Sequence, residues 1–305
     1  MDKVAQIAST EIGDIIVPTF SVFAPLLEEK RAEIQEIPRS TFKYRSTDRH
    51  QLDVYYPITR EDKTQILVWI YGGGFTTGER QMPAPFDLVY ANVGAYFARR
   101  GFITIIPDYR LAPDTVFPGA AEDVRDAIRW AIKHPEHLTT QNSPNPDTKN
   151  IFLMGHSAGA AHAFTALVLP NADDSTPLQS SVAGAILCAG AFDFAPDDPM
   201  LDTVKQYWGG FEQAKENDPM GLLASASQSV VASLPRIVLV VGEREPSSLL
   251  QVNQDFSQAL ESRTGKKPAK IVGQGHNHLS VNLTLGTGGG EKWAEEVIAW
   301  IRKSE

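Results

Sequence analysis

Cysteine is all but absent: Cys188 is the single thiol in 305 residues. One thiol rules out an intrachain disulfide framework and suits a reducing compartment. Positive charge is also scarce, with 28 Lys and Arg against 37 Asp and Glu, a net charge of -9. No dense Lys/Arg run offsets that balance, which argues against nucleic acid or an anionic membrane as a partner. No uninterrupted apolar run approaches the ~20 residues that span a bilayer, so no membrane insertion is expected. The opening stretch, MDKVAQIASTEIGD, lacks a basic segment followed by an apolar one. It does not read as a secretory signal, and a cytoplasmic location is expected.

What is present is an ordinary globular composition, 42% hydrophobic and 21% charged, long enough for one large α/β domain or two small ones. Residues 1–40 mix apolar runs (IIVPTF, FAPLL) with charged helix formers, and predict one or two short helices broken near Pro18 and Pro25. TFKYRS and QLDVYYP alternate like paired strands about a polar TDRH turn. From QILVWIY onward, apolar runs of strand length alternate with amphipathic helical patterns: FITIIP, GAAEDVRDAIRWAIKH, IFLMG, VAGAILCAG, PRIVLVVGE, PAKIVG and EKWAEEVIAWIRK. This rhythm predicts an α/β fold, a mostly parallel central sheet flanked by helices. Two stretches stand outside it, residues 1–40 and an insertion at about 195–232, and both are expected to form a helical cap over a main α/β domain of residues 41–305. PNADDSTPLQ and QNSPNPDTK read as polar loops.

The stretch IFLMGHSAGAAHAFTALVL places Gly155-His156-Ser157-Ala158-Gly159 between a strand and a helix. G-x-S-x-G in that context is a sharp turn that lifts a serine hydroxyl clear of the sheet edge, with the amides of a helix N-terminus behind it. A plain Gly-rich connection is the bland alternative. Upstream, ILVWIYGGGF ends a strand in Gly72, Gly73 and Gly74. Unshielded amides at the carboxyl edge are what a developing oxyanion needs. Gly73 and Gly74 are the expected donors, joined by Ala158.

YGGGF, then DYRLAPDTVFPGAAEDVRDAIRWA (108–131), then GHSAG resemble the hormone-sensitive-lipase-like esterases of the α/β-hydrolase superfamily, over about residues 50–305. Members of that family usually carry His before the three glycines and Asp before the serine, where this chain has Tyr71 and His156. Asp108 and Arg110 read as braces for the turn after FITIIP. The resemblance implies an α/β-hydrolase fold and a triad in the chain order Ser, Asp or Glu, His. After VLVV the loop supplies Glu243 and Glu245, and the family's G-x-x-D-P pattern corresponds to Glu245-Pro246. After the last strand come His276 and His278; a (D/N)-H-(F/L/M) pattern matches Asn277-His278-Leu279. The implied triad is therefore Ser157, Glu245 and His278, with Glu243 and His276 as second candidates.

The implied chemistry is cofactor-free hydrolysis of small to medium hydrophobic esters through an acyl-enzyme. Phe20, Phe75, Tyr207 and Trp208 are candidate substrate-binding residues, with packing of the cap onto the body as the alternative. Arylformamidases acting on N-formylkynurenine, pathway thioesterases, and ligand receptors of the same fold are the rivals. No metal site is expected, since no further Cys/His cluster completes a ligand set with His276 and His278. His50, His134, His137 and His162 read as surface or helix residues without a role, and Cys188 as a small buried hydrophobe. The expected partner is a small acyl substrate; a homodimer stays open.

Overall fold

The computed structural model describes residues 1–58, 63–140, 145–170 and 178–303. The chain begins with helices α1 (Asp2–Ala5), α2 (Ile12–Glu29) and α3 (Arg31–Gln35), followed by strands β1 (Arg39–Lys43), β2 (Gln51–Tyr55) and β3 (Lys63–Ile70). Strand and helix then alternate: α4 (Ala91–Arg99), β4 (Ile103–Pro107), α5 (Gly119–Lys133), β5 (Asn145–His156), α6 (Ala158–Val168) and β6 (Val182–Cys188). Four short helices interrupt: α7 (Leu201–Trp208), α8 (Phe211–Asn217), α9 (Pro219–Ser225) and α10 (Gln228–Ala232). The chain closes with β7 (Arg236–Arg244), α11 (Ser247–Thr264), β8 (Ala269–Asn277), α12 (Ser280–Leu283) and α13 (Lys292–Arg302).

Among the described residues the strands form one eight-stranded sheet in the order β1-β2-β4-β3-β5-β6-β7-β8. β2 pairs antiparallel with both β1 and β4; every other pairing is parallel. Helices cover both faces, so the inner strands are continuous apolar runs: Ile66 through Tyr71 are wholly buried. Edge strand β1, wet on one side, instead alternates exposed and half-buried residues. The expected α/β-hydrolase architecture is the one observed. Because β3, β5, β6, β7 and β8 run the same way, the segments following them all emerge at one edge. That edge collects the glycine loop, Ser157, Glu245 and His278.

Two local expectations are corrected. α2 is a single helix of 18 residues that runs through both Pro18 and Pro25. Its buried positions, Ile15, Thr19, Phe23 and Leu27, recur every four residues, whereas both prolines are exposed. Carbonyls freed by the prolines thus face water, and burial of three large apolar side chains, about 1.5–3 kcal/mol each, offsets the local penalty. Within QNSPNPDTK, residues 145–149 are not a loop but the start of β5, paired with the start of β3. Ile151 is the first residue of β5 that pairs with β6, so Pro146 sits where no second strand requires its missing N–H. A register shift follows Gln65, and the Asp147 carboxylate accepts from Lys149 N (3.2 Å) and Asn150 Nδ2 (2.7 Å) within it. Residues 141–144 and 171–177 of the two polar segments lie outside the described residues.

Candidate active site

β5 delivers the chain into α6 through one residue, Ser157, with φ 55° and ψ -124°. A non-glycine residue held there carries about 1–3 kcal/mol of backbone strain. The neighbourhood enforces it: Ser157 N donates to Cys188 O at 2.8 Å, and Ser157 O accepts from Ala160 N at 3.0 Å. Gly159 is a steric requirement, because a Cβ there would lie 2.2 Å from Ile70 O and 2.3 Å from Tyr71 O. The helix therefore packs its first turn directly on the end of β3, and Ser157 is the one half-exposed residue of an otherwise buried turn.

The loop after β3 lies against that turn. Gly73 has φ 137°, and its carbonyl takes Thr77 N (2.9 Å) and Thr77 Oγ1 (2.8 Å). A side chain at Gly73 would strike Thr77 O. The amides of Gly73, Gly74 and Ala158 find no acceptor among the described residues. Tyr71, in the place where the resembling family carries histidine, anchors the loop from below. Its hydroxyl donates to Asp108 Oδ1 (2.7 Å) and receives Arg49 Nη2 (3.1 Å), while Tyr109 donates its hydroxyl to Tyr71 O (2.7 Å). Burial pushes the Tyr71 phenol well above its ordinary pKa, so it remains a donor beside the Asp108 carboxylate. Asp108 also holds Arg80 through the backbone N (2.6 Å) and the guanidinium. Arg110 is occupied by Asp123, with Nη2 to Oδ1 at 2.8 Å and Nε to Oδ2 at 2.9 Å. Both Asp108 and Arg110 thus act as braces.

Of the two acids and two imidazoles in question, one pair meets. Glu245 Oε2 lies 2.8 Å from His278 Nδ1, with Glu245 3% and His278 2% exposed. Glu245 Oε1 accepts from Gly242 N at 3.2 Å. A carboxylate at Nδ1 assigns the proton to that nitrogen and leaves Nε2 as an acceptor. Glu243 is exposed and accepts from Gly275 N at 2.6 Å. His276 is engaged at both nitrogens: Nε2 donates to Gly290 O (2.7 Å) and Nδ1 accepts from Ser280 Oγ (3.0 Å). Burial lowers its pKa. The segment carrying His278 is held from the N-terminal side, where Asn277 Nδ2 donates to Thr19 Oγ1 of α2 at 2.8 Å. His156, adjacent to Ser157, donates its Nε2 proton to His278 O at 2.8 Å, with the two rings 4.6 Å apart. Among the described residues no hydrogen bond joins Ser157 Oγ to His278.

Phe75, Tyr207 and Trp208 are brought together, and Phe20 is not. Phe75 stacks on Tyr207 at 5.3 Å and meets Trp208 edge-on at 4.8 Å, with His162 and Phe194 completing the cluster. Phe75 and Tyr207 are 1% exposed, so these rings join α7 to the glycine loop as packed core. Phe20 instead packs edge-on against Phe86 at 4.9 Å, in a small apolar slot with Leu27, Val89 and Leu283. A side chain that the sequence reading does not single out reaches the glycine loop: a Cβ on Gly74 would lie 3.1 Å from Met200 Cε. No periodicity marks Met200, since it lies in the irregular segment before α7. Cys188 is buried, as expected of a small hydrophobe. His162 is a buried residue of α6; His50 departs from the expected surface or helix position, being buried just before β2 because its Nε2 pairs with Asp123 Oδ1 at 3.0 Å.

Among the described residues the grouping with metal-ligand potential is His134, Glu136 and His137. Tyr56, just beyond β2, donates its hydroxyl to His137 O at 2.9 Å, and β2 ends beside the start of β4. The group therefore sits at the sheet edge opposite Ser157 and takes no part in the site.

Comparison with known proteins follows the same lines. The BD-FAE family model matches residues 52–262. A rice (Oryza sativa subsp. japonica) protein named a probable isoprenylcysteine alpha-carbonyl methylesterase is 24% identical over 275 residues, covering 86% of this chain and 63% of its own. Carboxylesterase NlhH of Mycobacterium tuberculosis is 31% identical over 106 residues, 35% of this chain and 30% of its own. The chain thus spans less than two thirds of the length of these curated relatives. Among solved structures, esterase B of Lactobacillus rhamnosis, inhibited by a tributyrin phosphonate, superposes with a TM-score of 0.68 at 16% identity over 95% of each chain. A hyperthermophilic esterase of Pyrobaculum calidifontis gives 0.67 at 20% identity over 93% of each. At such identities the shared property is the fold.

Proposed function

The chain belongs to the BD-FAE family and has the α/β-hydrolase fold of the hormone-sensitive-lipase-like esterases; from that premise we propose that it is a serine hydrolase cleaving carboxylic esters of small to medium hydrophobic acids. Ser157 is the nucleophile, His278 the base, and Glu245 the acid that orients and stabilises the imidazole. His278 Nε2 takes the Ser157 proton as Oγ attacks the ester carbonyl, and the resulting oxyanion is received by the amides of Gly73, Gly74 and Ala158. Collapse expels the alcohol, which leaves with the proton from His278. Water then enters, His278 removes its proton, and the acyl-enzyme releases the acid.

The observation that carries this reading is the buried 2.8 Å pairing of Glu245 with His278 at the edge where a strained serine and three unused amides emerge. The relatives, a probable methylesterase and a carboxylesterase, support ester substrates. Residues 1–40 and α7–α10 form the cap in this reading. Met200, reaching the glycine loop, is the proposed apolar contact for substrate, while Phe75, Tyr207 and Trp208 hold the cap in place.

A fluorophosphonate probe tests the assignment: labelling at Ser157, abolished in Ser157→Ala, is the expected result. A series of p-nitrophenyl acetate, butyrate and octanoate run beside N-formylkynurenine then tests the substrate class. Preference for N-formylkynurenine over every ester would assign an arylformamidase instead, and a folded protein that resists labelling would favour a ligand receptor.

A further inference from the structure

Resting on the serine-hydrolase reading, we propose that His156, the residue before the nucleophile, is a positioning residue that ties the His278 segment to the nucleophile strand through its own imidazole. Its ring closes the end of β5, buried, with Nε2 2.8 Å from His278 O. A carbonyl only accepts, so Nε2 carries the proton and donates it. No other donor among the described residues reaches that carbonyl. Beyond the Asn277 contacts that hold its segment, His278 itself makes two polar contacts of different kinds. Glu245 sets the rotation of the ring through Nδ1, and His156 sets the height of its backbone through the carbonyl.

The same ring touches the third part of the site. A Cβ on Gly72 would fall 3.2 Å from His156 Nδ1 and 3.0 Å from Ser157 Cβ, so the glycine loop lies directly on this imidazole and the serine beside it. Trp69 lies parallel to the ring, at 6.5 Å and 9° between planes. His156 is thus confined by β3, the glycine loop and His278 together. It registers base, nucleophile and oxyanion donors against one strand, so that the His278 backbone is fixed relative to Ser157.

The charge state suits the task. Burial, then the neighbouring His278, push the His156 imidazole well below its ordinary pKa. It stays a neutral donor while His278, 4.6 Å away, becomes an imidazolium. An aspartate here has no proton to give a carbonyl when ionised, and a leucine has none at all. Glutamine carries an amide N–H at about the reach of Nε2.

The test is a kinetic comparison of the full chain with His156→Leu, His156→Gln and His156→Asp on p-nitrophenyl butyrate, with thermal unfolding recorded for each. His156→Leu is expected to lower kcat by roughly 10- to 100-fold with KM within about twofold, since small misplacements cost rate rather than uniform binding. His156→Gln is expected to recover most of the loss, and His156→Asp none of it. A folded Leu variant with wild-type kcat overturns the inference, as do Gln and Leu variants equally impaired. Where the Leu variant fails to fold, Gln and Asp decide: equal kcat in the two overturns it. An active wild type with unaffected variants refutes the positioning role alone. A wild type that neither hydrolyses esters nor takes a fluorophosphonate brings down the serine-hydrolase reading, and this inference with it.

Discussion

Replacing Glu245 with glutamine changes one thing in the site, the sense of a hydrogen bond. The carboxylate Oε2 now accepts the Nδ1 proton of His278 at 2.8 Å, and Oε1 accepts from Gly242 N at 3.2 Å. A glutamine oriented to keep its carbonyl on Gly242 N presents an NH2 to Nδ1. That donor forces Nδ1 to accept, moves the imidazole proton to Nε2, and leaves the base unable to take a proton from Ser157. The side chain has nearly the same shape and both polar contacts survive with one reversed, so folding should be little affected. Loss of the correct tautomer and of imidazolium stabilisation in a triad lowers kcat by about 10³- to 10⁴-fold, or ~4–5.5 kcal/mol at 1.36 kcal/mol per decade. The assay is kcat on p-nitrophenyl butyrate together with the rate of fluorophosphonate labelling, with near-UV circular dichroism as the control for fold. Glu243→Gln is the internal contrast: among the described residues its exposed carboxylate holds only Gly275 N, and an amide oxygen serves there, so less than about threefold loss is expected. Wild-type turnover in Glu245→Gln, or the larger loss in Glu243→Gln, refutes the reasoning.

Two further outcomes follow from other parts of the structure. Tyr71→Phe removes the hydroxyl shared by Asp108 and Arg49, and is expected to destabilise the fold by about 1–3 kcal/mol in urea titrations; because the glycine loop loosens, kcat should fall more than KM rises. Asp218, the buried N-cap of α9, accepts from Gly221 N at 2.7 Å, and burial raises its pKa to about 7. A raised carboxyl pKa means the native state binds more protons than the unfolded chain between about pH 4 and 7, so this group's contribution falls as pH rises through that window. Asp218→Asn keeps the capping oxygen and should flatten that part of the stability–pH curve; an unchanged slope would remove Asp218 as its source.

The alternation of strand and helix was legible because a sheet covered on both faces demands unbroken apolar runs, as in Ile66–Tyr71 and Ile151–Met154. Ser157 was legible for a steric reason: Gly159 has no room for a Cβ against Ile70 and Tyr71. What was hidden depended on partners distant in the chain. The continuity of α2 through two prolines comes from the core beneath Ile15, Phe23 and Leu27. The extension of β5 comes from a partner at Lys63–Gln65. Residue types alone offered both His276 and His278, and only the resemblance at Asn277-His278-Leu279 favoured the second; in the structure they part company because Ser280 and Gly290 engage one and Glu245 the other. Aromatic content in the insertion signalled contact with the body, yet could not say that Tyr207 and Trp208 would be buried against Phe75 while Met200 reaches the glycine loop.

A crystal structure of the chain with a phosphonate bonded to a side chain tests the central claim most directly. The account predicts phosphorus on Ser157 Oγ, the phosphoryl oxygen within hydrogen-bond distance of the Gly73, Gly74 and Ala158 amides, and His278 Nε2 turned to the adduct with Nδ1 still on Glu245. An adduct elsewhere, or a Ser157 adduct whose oxygen turns away from those amides with His278 out of reach, would contradict it.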